Sequence, residues 1–140
     1  MSIYEQGLDP CAANQVALSP VSFVERSAEV FADLPAVVHG HRRYNWAQVR
    51  DRSARLAAAL QALGVGHGDT VSAMLPNTPE MVECHFGVPM AGAVLNTMNT
   101  RLDLATLLYM LRHGEAKVLI ADTEYLPLVE ELRQALPELQ

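Results

Sequence analysis

From Val71 to Leu136, short apolar runs alternate with helix-patterned ones, and that order leaves few folds open. Val71 to Leu75 has the length and composition of a strand. Thr78-Pro79-Glu80 then predicts a helix start, with Thr78 as cap, Pro79 in the first turn and Glu80 near the positive end of the helix dipole. Met81, Val82, His85 and Phe86 are expected on its inner face, and Pro89, which has no N–H to donate, should kink or end it. Ala93 to Leu95 reads as a second, buried strand. Leu104, Leu107, Leu108 and Leu111 follow the helical period, closed by His113-Gly114. Val118 to Ala121 reads as a third strand, and Leu128, Val129, Leu132 and Leu136 mark a last helix. Strand–helix–strand–helix–strand predicts two right-handed crossovers. The fold class is therefore α/β, a parallel sheet with flanking helices from βαβ units.

Upstream, residues 1–18 show no period and are expected to run as an extended lead-in. Ser19-Pro20 predicts a helix start, although Ser22 and Glu25 have capping-box spacing and would shift it by a turn. Val21, Val24, Ala28 and Phe31 share its apolar face. Ala36-Val37-Val38, Gly40 and Arg42-Arg43-Tyr44 predict a hairpin. A helix over 46–63 follows from the spacing of Trp46, Val49, Ser53, Leu56, Ala57, Leu60 and Leu63, with Gly64 suited to a left-handed end.

Composition narrows the function classes. The chain has 140 residues, half of them apolar and 19% charged, which fits a packed domain and not disorder. A net charge of −6 with scattered Lys and Arg argues against a nucleic-acid partner. Arg50, Arg52 and Arg55, interleaved with Asp51, read as a solvated helix face. Cys11 and Cys84 match no metal spacing and fit a reduced, cytoplasmic interior. The start lacks a basic region followed by an apolar one, so no signal peptide is expected. The longest stretch without charged residues, Cys84 to Thr100, is broken by Pro89, Gly and Asn, which argues against a membrane span.

Two stretches look like sites. Gly64-Val65-Gly66-His67-Gly68 is glycine-rich, but it closes a helix and leads into a strand. A dinucleotide fingerprint does the reverse, so a structural turn is the expectation. Asn96-Thr97-Met98-Asn99-Thr100-Arg101 follows a strand's carboxyl end, where open α/β sheets bind ligands. Arg101 can offer a forked donor to phosphate or carboxylate, or pack its stem on the next helix. His39 with His41, and Glu83 with His85, fall short of a metal site. No nucleophile elbow and no phosphate loop occur.

Several segments keep family order and spacing: Ala36-Val37-Val38-His39-Gly40; Tyr44-Asn45-Trp46-Ala47-Gln48-Val49; Leu56 to Asp69; Leu75-Pro76-Asn77-Thr78-Pro79-Glu80; Met90 to Leu102; and Lys117-Val118-Leu119-Ile120-Ala121. Together, over roughly residues 15 to 136, they resemble the amino-terminal region of adenylate-forming enzymes, specifically the AMP-forming acyl-CoA synthetases. The resemblance implies that residues 19–140 are the front of an AMP-binding domain, incomplete here, and form part of its amino-terminal subdomain. It implies a parent enzyme that activates a carboxylic acid with Mg²⁺ and ATP to an acyl-adenylate, then passes the acyl group to coenzyme A. The wording of Ala93 to Leu102 resembles the branch handling short- to medium-chain or substituted acids.

The same resemblance bounds the site. In the family, ATP is held by a Ser/Thr/Gly-rich loop, a later Asp and a Lys from a mobile carboxy-terminal domain. Neither Thr97 to Arg101 nor Asp122-Thr123-Glu124 matches these, so no catalytic residue is carried over and tight nucleotide binding by this stretch alone is not expected. Arg101 lies where the family's coenzyme A approaches, which implies a phosphate contact. A severed piece would also expose apolar faces and self-associate. The alternatives are a non-catalytic small α/β module, receiver-like in one version, and a purely structural fragment. A receiver would need paired acidic residues after an early strand, whereas Asp69 precedes its strand.

Overall fold

The computed structural model describes residues 6, 7, 9–13, 15, 16 and 18–140. Of the expected lead-in over 1–18, residues 1–5, Leu8, Asn14 and Ala17 lie outside the described residues; the others are exposed. The first helix, α1 (Pro20–Val30), begins at Ser19, whose Oγ accepts from the Val21 N–H at 3.2 Å. The competing start fails because Ser22 Oγ donates back to the Ser19 carbonyl instead. Val24 and Ala28 are buried, whereas Phe31, expected on the same face, stays largely exposed. The hairpin forms as β1 (Pro35–His39) and β2 (Arg42–Asn45), antiparallel.

Helix α2 (Trp46–Ala62) starts with a capping box: Asn45 accepts from the Gln48 N–H, and the Gln48 side chain accepts from the Asn45 N–H. Satisfying two orphan donors explains why this helix starts so sharply. Of the expected solvated face, Arg50, Asp51 and Arg55 are exposed, and Arg52 departs from it. Arg52 grips Glu83 of α3 (Pro79–Met90) at 2.5 and 3.2 Å, and only Arg55 pairs locally, with Asp51. The Arg52 guanidinium also lies 4.7 Å from the Tyr44 ring centre, and Arg42 pairs with Glu80. Hairpin, α2 and α3 are thus cross-braced by charge.

The sheet is β3 (Thr70–Met74), β4 (Val94–Thr97) and β5 (Ala116–Ala121), parallel, in the order β4-β3-β5. Helices α3 and α4 (Leu104–His113) form the two crossovers, β3-α3-β4 and β4-α4-β5, and α5 (Leu126–Ala135) follows β5. The central strand is buried on both faces, and its side chains alternate between two cores. Val71, Ala73 and Leu75 pack with Ala57, Leu60, Cys84 and Val88 of α2 and α3. Met74 points into the opposite core of Leu107, Leu111 and Leu132 from α4 and α5.

The expected inner face of α3 needs correction. Cys84, Gly87 and Val88 are buried, while His85 is exposed. Cys84 sits so far from water that burial, helped by Glu83, pushes its thiol up to about 11. Thr78 occupies the cap position without a side-chain capping bond. Pro89 falls one residue before the helix end, in keeping with the expectation that it ends the helix. The strand expected to be buried, β4, is an edge, and Val94 is 54% exposed. Beyond β5, Gln140 donates to the Lys117 carbonyl and accepts from the Leu119 N–H, the pattern of parallel pairing on that outer edge.

The glycine-rich run is the structural turn its context implies. Gly64 and Gly68 have φ of 80° and 84°, which side chains rarely adopt. Asp69 organises the loop: its Oδ2 accepts from the Gly66 N–H at 2.7 Å and from Lys117 Nζ at 2.9 Å, while Nζ also reaches the Gly64 carbonyl. The Lys117 bond first, and the Gly66 bond second, hold the Asp69 carboxyl below its ordinary range. A lowered folded pKa adds stability that is fully present above the unfolded value, about 3.9, and fades as pH falls through the folded one. Asp69→Asn should therefore lower the urea midpoint near neutral pH, and the gap from wild type should close as the solution is acidified below about pH 4. A gap of constant size would show that the carboxylate's charge is not what matters.

Candidate functional site

The sheet determines where a ligand can sit. Loops leaving the carboxyl ends of β3, β4 and β5 converge at one end of the strands, and there a cavity of about 830 Å³ opens. Leu75, Pro76 and Asn77 come from the β3 end, Thr97 to Arg101 from β4, and Tyr125 from the turn after β5. Helix α3 leaves for one face of the sheet and α4 for the other, which spreads the loops after β3 and β4 apart.

Most of the sequence-expected stretch is here, with one exception. Asn96 lies within β4, and its Nδ2 donates to the buried Ser72 Oγ at 3.1 Å, opposite it in register. That bond satisfies a polar pair inside the sheet, so Asn96 is structural. Asn99 shapes the turn, its Oδ1 accepting from the Arg101 N–H at 3.0 Å. The following helix is firmly started: Asp103 accepts from the Thr106 N–H at 2.8 Å, which holds its carboxyl low. The turn is therefore held from both sides.

Arg101 is exposed and lines the cavity, and its guanidinium makes no ion pair or hydrogen bond among the described residues. No carboxylate lines the cavity. Nearby, a hydrogen bond to Glu124 holds the Tyr125 phenol above its ordinary range. His85 Nδ1 lies 2.8 Å from the Met81 carbonyl. A carbonyl only accepts, so Nδ1 carries hydrogen and Nε2 is the ring's remaining polar atom. One unpaired cation in a cavity without carboxylates suits an anionic group such as a phosphate. Among the described residues, no group of three or more His, Cys, Asp or Glu is placed to hold a metal ion.

Asn77, His85 and Tyr125 were not expected from sequence as site residues. Asn77 and Tyr125 carry the same signal as Arg101, a position just past a strand's carboxyl end. His85 carries none, because it reaches the cavity from a helix.

Comparison with known proteins agrees with this geometry. The family model described as "AMP-binding enzyme" matches residues 24–140. A peroxisomal butyrate–CoA ligase of Arabidopsis thaliana is 45% identical over 130 residues, 93% of this chain and 23% of that protein. The solved structure of an anthranilate CoA ligase in complex with anthranoyl-AMP superposes with a TM-score of 0.81 at 34% identity, over 85% of this chain and 23% of that one. A Mycobacterium tuberculosis fatty acyl CoA synthetase gives 0.77 at 30% identity, over 80% and 23%. The chain thus spans under a quarter of the length of each of these relatives.

Proposed function

The chain belongs to the AMP-binding enzyme family, and from that premise we propose that it is the amino-terminal portion of an AMP-forming acyl-CoA synthetase. The observation that carries the reading is the 45% identity to a butyrate–CoA ligase across nearly the whole chain. In the proposed reaction a carboxylate oxygen attacks the α-phosphorus of ATP and pyrophosphate leaves. The coenzyme A sulfur then attacks the acyl carbon, and AMP leaves. Residues 19–140 supply scaffolding and one wall of the site; alone they bind ATP weakly and do not catalyse. The acid is short- to medium-chain or substituted, a reading supported by relatives named for butyrate and anthranilate.

Arg101 is the residue we assign to coenzyme A. Its unpaired guanidinium, in a cavity without carboxylates, fits a phosphate of that molecule. A charged hydrogen bond is worth about 1.5–3 kcal/mol. In the complete enzyme, Arg101→Ala should raise the KM for coenzyme A by roughly ten- to a hundredfold while leaving that for the acid unchanged. An unchanged KM for coenzyme A removes the assignment.

Two further readings stand as proposals. Phe23, Val30 and Leu34, all more than half exposed on and after α1, are the apolar surface through which the isolated chain would self-associate. A cytoplasmic location is supported by the buried thiol of Cys84. The Arabidopsis relative is named as peroxisomal, and imaging a tagged complete protein distinguishes the two compartments. No helix among the described residues is long and apolar enough to cross a membrane.

A further inference from the structure

We propose that the outer face of α4 docks a second copy of this chain, the two helices packing antiparallel across a twofold axis. Ala105, Leu108, Tyr109 and Arg112 fall at i, i+3, i+4 and i+7, and with His113 they line a cavity of about 480 Å³. Its walls all belong to one helix. Residues at that spacing form the hole that receives a knob from a facing helix. Ala105, the smallest of them, leaves the hole deep, and Tyr109, 65% exposed, is the side chain shaped to be the knob. The Tyr109 ring lies parallel to His113 with centres 5.5 Å apart, so it is already ordered and loses little freedom on docking.

The charges name the occupant. Asp103 stands at the amino end of α4 and Arg112 in its last turn, both exposed. Neither has an ion-pair partner among the described residues. Asp103 accepts from Thr106, and Arg112 donates through Nη2 to the Ala135 carbonyl at 3.4 Å. Antiparallel packing centred between Leu108 and Tyr109 sets Arg112 of each copy over Ala105 of the other, within one turn of Asp103. It also sets the positive end of each helix dipole against the negative end of the other. Parallel packing would bring like charges together. The face is therefore complementary to itself, which is what an isologous dimer requires. Arg101, the other charge near that end, lines the strand-end cavity instead. A helix about 15 Å long covers well under the roughly 800 Å² per partner of a standard interface, so the dimer should form only at about 0.1–1 mM.

This face is separate from Phe23, Val30 and Leu34 on and after α1, and it owes nothing to the ligase reading. Sedimentation equilibrium of the chain up to about 1 mM gives its mass, and ¹H–¹⁵N NMR spectra of the labelled chain over the same range locate the contact. The expected result is a monomer–dimer equilibrium with shifts concentrated at Ala105, Leu108, Tyr109 and Arg112. Tyr109→Ala removes the knob, and Arg112→Glu sets a second carboxylate beside Asp103. Both positions are exposed, and the spectra report the fold of each variant. Each should weaken the dimer roughly tenfold or more. A dimer with shifts on α4 that both variants weaken supports the proposal. A monomer at every concentration overturns it. So does association whose shifts fall on α1, that either variant leaves unchanged, or whose mass climbs past the dimer as a head-to-tail contact would give.

Discussion

Replacing Leu107 by Ala should lower the unfolding free energy of the chain by about 2–5 kcal/mol, read as a fall in the urea midpoint at unchanged slope. Leu107 is fully buried in α4, in the core that also holds Met74, Leu111 and Leu132. That core has little room to collapse around a hole. On one side is β3, whose backbone is fixed by pairing to both β4 and β5. On the other, α4 is held by the Asp103 cap and by Arg112, which donates to the Ala135 carbonyl of α5. A cavity that cannot relax keeps its full cost, so the upper half of the range is the expected outcome. Since whole domains are stable by only about 5–15 kcal/mol, this single change approaches the total. A loss under about 1 kcal/mol would mean that α5 swings in to fill the space.

Element type was readable wherever burial has one period. The spacing of Leu104, Leu107, Leu108 and Leu111 marks α4 because one face of that helix meets the sheet and the other meets water. The parallel sheet followed from alternation alone, before any contact was known. What sequence pattern misjudged were elements whose partners lie far along the chain. Helix α3 is apolar nearly all round, so its pattern does not say which side faces in, and His85 was placed inward. The short apolar run at Ala93 to Leu95 reads as buried, yet β4 forms an edge with Val94 outward. Arg52 looks like its neighbours Arg50 and Arg55, and only the packing of α2 on α3 brings it to Glu83.

The site divides along the same line. The placement of Arg101 at the strand-end cavity was legible because it needs only strand position. Asn96 was wrongly grouped with it: a polar residue inside a strand and one just past its end look alike until register places Ser72 opposite. The resemblance over residues 15 to 136 rests on spacing between segments, and the family model matches nearly the same stretch, 24–140.

Gly87 is the position where the smallest added group should do the most harm. A Cβ there would stand 2.8 Å from Leu56 Cδ2, 3.0 Å from Leu56 Cβ and 2.9 Å from the Ser53 carbonyl oxygen. Two effects oppose each other. Removing a glycine from mid-helix favours the folded state by about 1 kcal/mol through lost unfolded-state entropy and better helix propensity. Overpacking costs typically about 1–3 kcal/mol, sometimes more, and which effect wins depends on what can yield. The leucine end can rotate, but the Ser53 carbonyl is backbone in mid-α2, so relief requires the two helices to part. Parting them strains the core of Ala57, Leu60, Cys84 and Val88, and the Arg52–Glu83 pair beside it. Gly87→Ala should therefore be destabilising by about 1–2 kcal/mol net, and Gly87→Val, which adds bulk and loses most of the propensity gain, by roughly 3 kcal/mol or more. Combining Gly87→Ala with Leu56→Ala separates the causes: the pair should lose less than the sum of its parts, since one clash is gone, yet not recover fully while Ser53 remains. Strict additivity, or a Gly87→Ala chain more stable than wild type, would mean that α2 and α3 approach less closely at this crossing than their backbones indicate.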